Sequence, residues 1–278
     1  MKQVIMKYRK SWWCVMYLLM PCLLQAQVRD TLADIKMFVH ACNAYKQIPL
    51  QLEVFVKNTC NIPQQDMDTS AVRLLFAIQE HGSYLQYGEV EQLANDSMVL
   101  MISHKAKQMI AMPSGNTVAR QLLQSISMPV ADSSITRMAA KYTAVRLPHE
   151  HDTVVLVVTS RALLPGTAFP KECIIVRSVK ATGQLVEVKQ MKRTLYEVDE
   201  EAYRQLQADS AWNGRLTKLG EHFMLVKELI QTFCYKQVKH DGKQALPLQV
   251  NDCVSRSATG KLLPAAAYEG YLISENNQ

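Results

Sequence analysis

The chain has 278 residues, of which 48% are hydrophobic and 20% charged. That is too apolar for a disordered chain, and ten Gly with ten Pro exclude a collagen-like or low-complexity one. The formal net charge of +6 would suit a nucleic-acid binder if the charge were gathered on one surface.

It is gathered at the N-terminus instead. Lys2, Lys7, Arg9 and Lys10 precede an almost wholly apolar run from Trp12 to Leu24, and Leu24-Gln25-Ala26 closes it with a small residue. Basic, apolar and small segments in that order predict a secretory signal peptide over residues 1–26. The apolar run falls short of the roughly 20 residues that span a bilayer. An uncleaved anchor is the alternative that this length disfavours. A lipoprotein acylated at Cys22 is disfavoured by Pro21, where a small residue is expected. Four of the six net charges leave with this segment, so the mature chain carries +2. No later stretch concentrates Lys and Arg among aromatics, and no nucleic-acid partner is expected. The predicted location is the periplasm or cell envelope. Cys42, Cys60, Cys173, Cys234 and Cys253 remain after cleavage, an odd number without a Cys-x-x-Cys pair. An oxidising compartment permits a disulfide among them, and the spacing selects none.

Along the mature chain, Leu32, Ile35, Val39 and Cys42 recur at helical spacing. Thr31 with Asp34 resembles a capping box, and Ile48-Pro49 ends the helix. Leu50, Leu52, Val54 and Val56 then alternate with mostly polar residues, which predicts a half-buried strand over Leu50–Lys57. A loop over Cys60–Thr69 leads to a strand over Ala71–Glu80. Tyr84–Leu93 reads as one extended segment. Ser97–Ser103 and Gln108–Met112 form a hairpin about His104-Lys105-Ala106-Lys107. The short connections imply an antiparallel meander.

Val118, Leu122 and Ile126 predict a helix over Thr117–Ile126, and Ile135, Met138 and Tyr142 another over Ser133–Tyr142. Thr153–Ser160 is a buried strand. Leu163–Pro170 is a loop, and Glu172–Lys180 pairs with Gln184–Leu195 around Thr182-Gly183. Glu200–Gln207 reads as helical, Leu216–Gly220 as a turn, and the later half of Phe223–Val238 as a strand. No repeat and no Gly/Ser/Pro linker divides the chain. The expectation is a single α+β domain over 27–278: a curved antiparallel sheet with an N-terminal helix and central helices on one side.

Chemistry-bearing residues are sparse. His149 and His151 in Pro148-His149-Glu150-His151-Asp152 share strand spacing and could ligate zinc, but the spacing fixes no third ligand, so a solvated loop is expected. Asp66 and Asp68 lack the further oxygen ligands and Gly of a calcium loop. No nucleophile elbow, phosphate loop or His-Glu-x-x-His helix occurs. The sequence therefore predicts no enzyme activity, catalytic residue, cofactor or metal. The apolar inventory says more. Met98, Met101, Met109 and Met112 gather in one hairpin, and Met suits irregular apolar partners. Such a face is either ordinary core or, if concave, a place for acyl chains.

The succession of signal segment, amphipathic helix, alternating strand, meander, central helices and further strands resembles the LolA-like superfamily of periplasmic lipoprotein carriers. The likeness rests on the helix Leu32–Tyr45 leading into Leu50–Lys57, on Ser97–Met112, and on the Ile174–Lys189 hairpin. It implies an incomplete, strongly curved barrel with helices as a lid over an apolar cavity. The implied partner is a lipid or an acylated protein. The cavity candidates are Leu74, Phe76, Met98, Leu100, Met101, Ile110 and Met112. The chain departs from the carriers at His81-Gly82-Ser83-Tyr84, which has neither the Pro nor the Arg of their second-strand exit, and in the extra tail after Tyr196. That departure keeps open an envelope assembly role with a protein partner and no lipid.

Overall fold

Leu50, Leu52, Val54 and Val56 are all buried on one face of β1 (Leu50–Cys60), as their alternation predicts. The structure is a computed structural model that describes residues 31–41, 47–114, 132–147, 152–240 and 245–276. The expected signal peptide, the expected helix Thr117–Ile126, Cys42 and the His149/His151 pair lie outside the described residues.

Helix α1 (residues 31–41) precedes β1. The meander follows as β2 (Ala71–Gln79), β3 (Gly82–Tyr87), β4 (Val90–Asn95), β5 (Met98–Ser103) and β6 (Gln108–Pro113). The segment expected as one strand over Tyr84–Leu93 is a tight hairpin. Tyr87 pairs with Val90 across a turn at Gly88, whose φ of +58° suits a residue without Cβ. After α2 (Asp132–Lys141) come β7 (Tyr142–Leu147), β8 (Thr153–Ser160), β9 (Glu172–Val179) and β10 (Leu185–Val198). Helix α3 (Glu200–Ala208) is capped by Asp199, whose carboxylate accepts from Ala202 N at 2.7 Å. The expected turn at Leu216–Gly220 is strand β11 (Leu216–Leu219), which pairs with β12 (His222–Lys239). The C-terminal segment adds α4 (Val250–Cys253), β13 (Val254–Arg256), β14 (Leu262–Pro264) and β15 (Leu272–Glu275).

Among the described residues thirteen strands form one open sheet in the order β15-β6-β5-β4-β3-β2-β1-β12-β10-β9-β8-β7, with β11 attached to β12. All pairings in it are antiparallel except β15 with β6. Strand β12 is its spine, pairing with β1 over Leu229–Lys239 and with β10 over Phe223–Cys234.

One core joins Ile35, Phe38 and Val39 of α1 to β1, to Ile78 of β2, and to Ala144, Leu156, Val158, Val176 and Val188 from the far side of the sheet. Seven strands from β2 to β7 would span about 29 Å if flat, whereas an 11-residue helix is about 16 Å long. The sheet curves so that both halves reach α1 and the short α2. The fold is an α+β half-barrel with helices over its inner face. The start of α1 is tied to β7: Thr31 Oγ1 donates to the Ala144 carbonyl, and Arg146 reaches buried Asp34 at 2.7 Å. Asp34 thus holds a long-range ion pair with β7.

A second core covers the other face of the meander. There Leu93, Leu100, Ile102 and Met109 pack against Val250, Cys253, Leu262 and Tyr268 of the C-terminal segment. This accounts for one side of the dense run at 97–103: Leu100 and Ile102 of β5 are buried against the C-terminal segment.

Candidate ligand-binding face

Residues opposite one another in an antiparallel ladder share a face of the sheet. Leu74 and Phe76 pack on the α1 side of β2, and register carries that face outward. Phe76 stands opposite Leu85, Leu85 opposite Gln92, Gln92 opposite Met101 and Met101 opposite Ile110. One flanking row runs through Leu74, Tyr87, Val90, Ser103 and Gln108, the other through Ile78, Ser83, Ala94, Val99 and Met112.

The result is a largely apolar strip that begins in the core under α1 and ends half-open. Tyr87 is 48% exposed and Ile110 41% exposed. Five of the seven candidates lie on it: Leu74, Phe76, Met101, Ile110 and Met112. Met98 and Leu100 do not join them. Their side chains alternate to the opposite face and into the C-terminal core, where Leu100 is 0% exposed. Sequence reasoning missed Leu85, Tyr87, Val90 and Val99 on the inner strip. The signal for them was the Gly88 turn, which flips the phase of the alternation.

The opposite face carries the most concentrated polar chemistry. Tyr84 Oη donates to Glu91 Oε1 at 2.7 Å. Burial, and then that bond, push the Tyr84 phenol well above its ordinary range. His104 Nε2 lies 3.1 Å from Glu91 Oε2, within ion-pair distance but off the line of a hydrogen bond. Its Nδ1 is 2.9 Å from Tyr271 Oη. Cys253 Sγ is 3.6 Å from Tyr268 Oη. Burial pushes the Cys253 thiol up to about 11. The cluster clasps the C-terminal segment to the meander.

Other groups singled out from sequence are engaged structurally. Asp68 accepts from Gln64 N at 2.9 Å and from Lys227 Nζ at 3.2 Å. Those bonds hold its carboxyl below the usual range. Among the described residues no group of three or more His, Cys, Asp or Glu could hold a metal ion. Cys60, Cys173, Cys234 and Cys253 are free thiols.

Tyr142, at the start of β7, donates to Glu172 Oε2 at 2.6 Å. That bond, and then burial, push its phenol up to about 12. Because the folded value lies above the ordinary 10, the contribution is complete below pH 10 and is lost as the pH rises to about 12. Urea unfolding across that range should show a decline that Tyr142→Phe reduces. An unchanged slope would argue against the bond.

No family model matches the chain, and no curated protein matches it. Solved structures do. A LolA superfamily protein from Nitrosomonas europaea aligns at 10% identity and a TM-score of 0.24, over 78% of this chain and 95% of its own. A DUF1329 family protein from Desulfovibrio piger aligns at 8% identity and a TM-score of 0.30, over 77% and 95%. A third match, a Vibrio parahaemolyticus domain named for outer membrane lipoprotein sorting, has 10% identity and a TM-score of 0.24, over 78% and 94%. Among the described residues no helix is long and apolar enough to cross a membrane.

Proposed function

We propose that this protein is an exported, non-enzymatic carrier that shelters a lipid or acyl group against the inner face of β2–β6. In this reading residues 1–26 are removed on export to the periplasm or cell envelope, and residues 27–278 act as one domain. The observation that supports it most is the strip from Phe76 through Leu85 and Met101 to Ile110, continuous with the core at one end and half-exposed at the other. An acyl chain laid along it gains about 0.8 kcal/mol for each CH₂ removed from water. The Met side chains adapt to an irregular chain. The ligand contacts are Leu74, Phe76, Met101, Ile110 and Met112, joined by Leu85 and Tyr87. A partner protein bound without lipid is the second reading. It draws on Val145 and Leu147, which are exposed on edge strand β7.

Native mass spectrometry of protein purified from its host should find a bound amphiphile. Ile110→Glu should weaken binding of a fluorescent fatty acid by at least about tenfold while leaving stability nearly unchanged, since it places a charge on the apolar path at a half-exposed site. Protein that carries no amphiphile and binds no acyl probe would sink the carrier reading.

A further inference from the structure

The β8–β9 connection runs Arg161-Ala162-Leu163-Leu164-Pro165-Gly166-Thr167-Ala168-Phe169-Pro170-Lys171, with no charged residue between its two basic ends. Loops usually present polar tips to water. This one exposes Ala162, Leu163, Pro165 and Ala168, with Leu163 51% exposed.

The tip is also built. Leu164 is buried and anchors it. Leu164 N donates to Phe169 O at 2.8 Å, Thr167 N to Leu164 O at 3.1 Å, and Phe169 N to Thr167 Oγ1 at 3.1 Å. Thr217 Oγ1 of β11 donates to Gly166 O at 2.9 Å. Gly166 has a φ of +70°, and a Cβ there would lie 2.7 Å from that hydroxyl, so β11 approaches the backbone closely. Pro165 and Pro170 have no N–H to satisfy. Half of the tip's backbone polarity is thus satisfied internally, which lowers the cost of leaving water.

Its base is cationic. Arg161 N donates to Lys141 O, and Lys171 N to Ala162 O, so Lys141, Arg161 and Lys171 neighbour one another at the ends of β7, β8 and β9. All three are exposed, and among the described residues none makes an ion pair. The nearby carboxylates are engaged elsewhere: Glu172 with Tyr142, and Glu228 with Arg193 and Arg215. Like charges brought together across strands repel, and the carboxylate of neighbouring Glu172, held by the neutral Tyr142 phenol, offsets only one of the three.

An apolar, partly hydrogen-bonded tip beside three cations at neighbouring strand ends fits an anionic bilayer. We infer that the β8–β9 loop is a membrane-docking loop. Leu163 and Pro165 enter the headgroup region, and Lys141, Arg161 and Lys171 meet lipid phosphates. The contact is interfacial and salt-sensitive rather than a span. It would bring the carrier to a membrane, yet it involves none of the inner-face residues.

The test uses the purified protein with vesicles of phosphatidylcholine alone or with added phosphatidylglycerol. A Leu163→Trp variant should shift its emission to the blue, and be quenched by brominated acyl chains, only with the anionic vesicles. Binding should fall with salt. Arg161→Gln and Lys171→Gln should each weaken it about fivefold, and Leu163→Asp should remove most of it. Unchanged thermal unfolding would confirm that these exposed substitutions leave the fold intact. Ile110→Glu should bind vesicles normally, which separates this outcome from failure of the carrier reading. Absence of binding to anionic vesicles, binding indifferent to Leu163 and the cations, or photo-crosslinks from position 163 to protein alone would overturn the inference.

Discussion

Leu100→Ala is expected to destabilise the protein by about 2–5 kcal/mol, and Met101→Ala, one residue along, by far less. Leu100 is fully buried between β5 and the C-terminal segment, in the cluster that holds Leu93, Cys253 and Tyr268. Truncation there leaves a cavity between two layers. Met101 points to the inner face, is partly exposed, and belongs to neither core cluster. Ligand binding should respond in the opposite sense: the acyl probe should bind more weakly to Met101→Ala and normally to folded Leu100→Ala. Urea unfolding and probe titration of the two variants would check both halves. Equal stability losses at the two positions would refute the assignment of faces.

The same pair shows what the residues alone could reveal. In β1 every second residue is polar, so the buried face was readable from Leu50, Leu52, Val54 and Val56. In β5 the run Met98-Val99-Leu100-Met101-Ile102 has no polar residue to mark a face. Leu100 and Ile102 are buried against the C-terminal segment while Met101 on the other face is apolar too, so the strand carries no phase. Met98 and Leu100 were therefore grouped with Met101, although period-2 alternation separates them. The missing information is held by neighbours in register, where Glu91 opposite Ile102 and Gln92 opposite Met101 distinguish the two sides. The second core depended on Val250, Cys253 and Tyr268, more than 130 residues beyond the strands they cover, and no local pattern announces such a return. Strand β15 is the extreme case, since its parallel pairing with β6 joins Leu272 to Gln108. Helical spacing in α1, by contrast, was legible, because Ile35 and Val39 face one buried side. Only the partner of Asp34 was hidden, since Arg146 lies 112 residues away.

Arg193→Met should cost about 3–5 kcal/mol, because it removes one partner of a buried ion pair and leaves the other behind. Arg193 Nε meets Glu228 Oε2 at 2.7 Å, with both side chains almost fully buried. Its Nη1 donates to Pro170 O at 3.0 Å, its Nη2 touches Met191 Sδ, and the guanidinium lies 5.4 Å over the Phe169 ring. Without it, among the described residues, Glu228 keeps only the Arg215 ion pair, at 3.8 Å. Arg193→Lys should cost nearly as much, since one ammonium lacks the planar fork that serves Glu228 and Pro170 together. The double variant Arg193→Met with Glu228→Leu should recover much of the loss, because no charge is then stranded. Urea unfolding of the three variants would decide it, and a double variant no better than Arg193→Met would contradict the stranded-charge account. Arg193 also holds Pro170 and Phe169 at the base of the β8–β9 loop. Both destabilised and recovered variants should therefore bind anionic vesicles more weakly than the unaltered protein, since neither retains the guanidinium that fixes how Leu163 is presented.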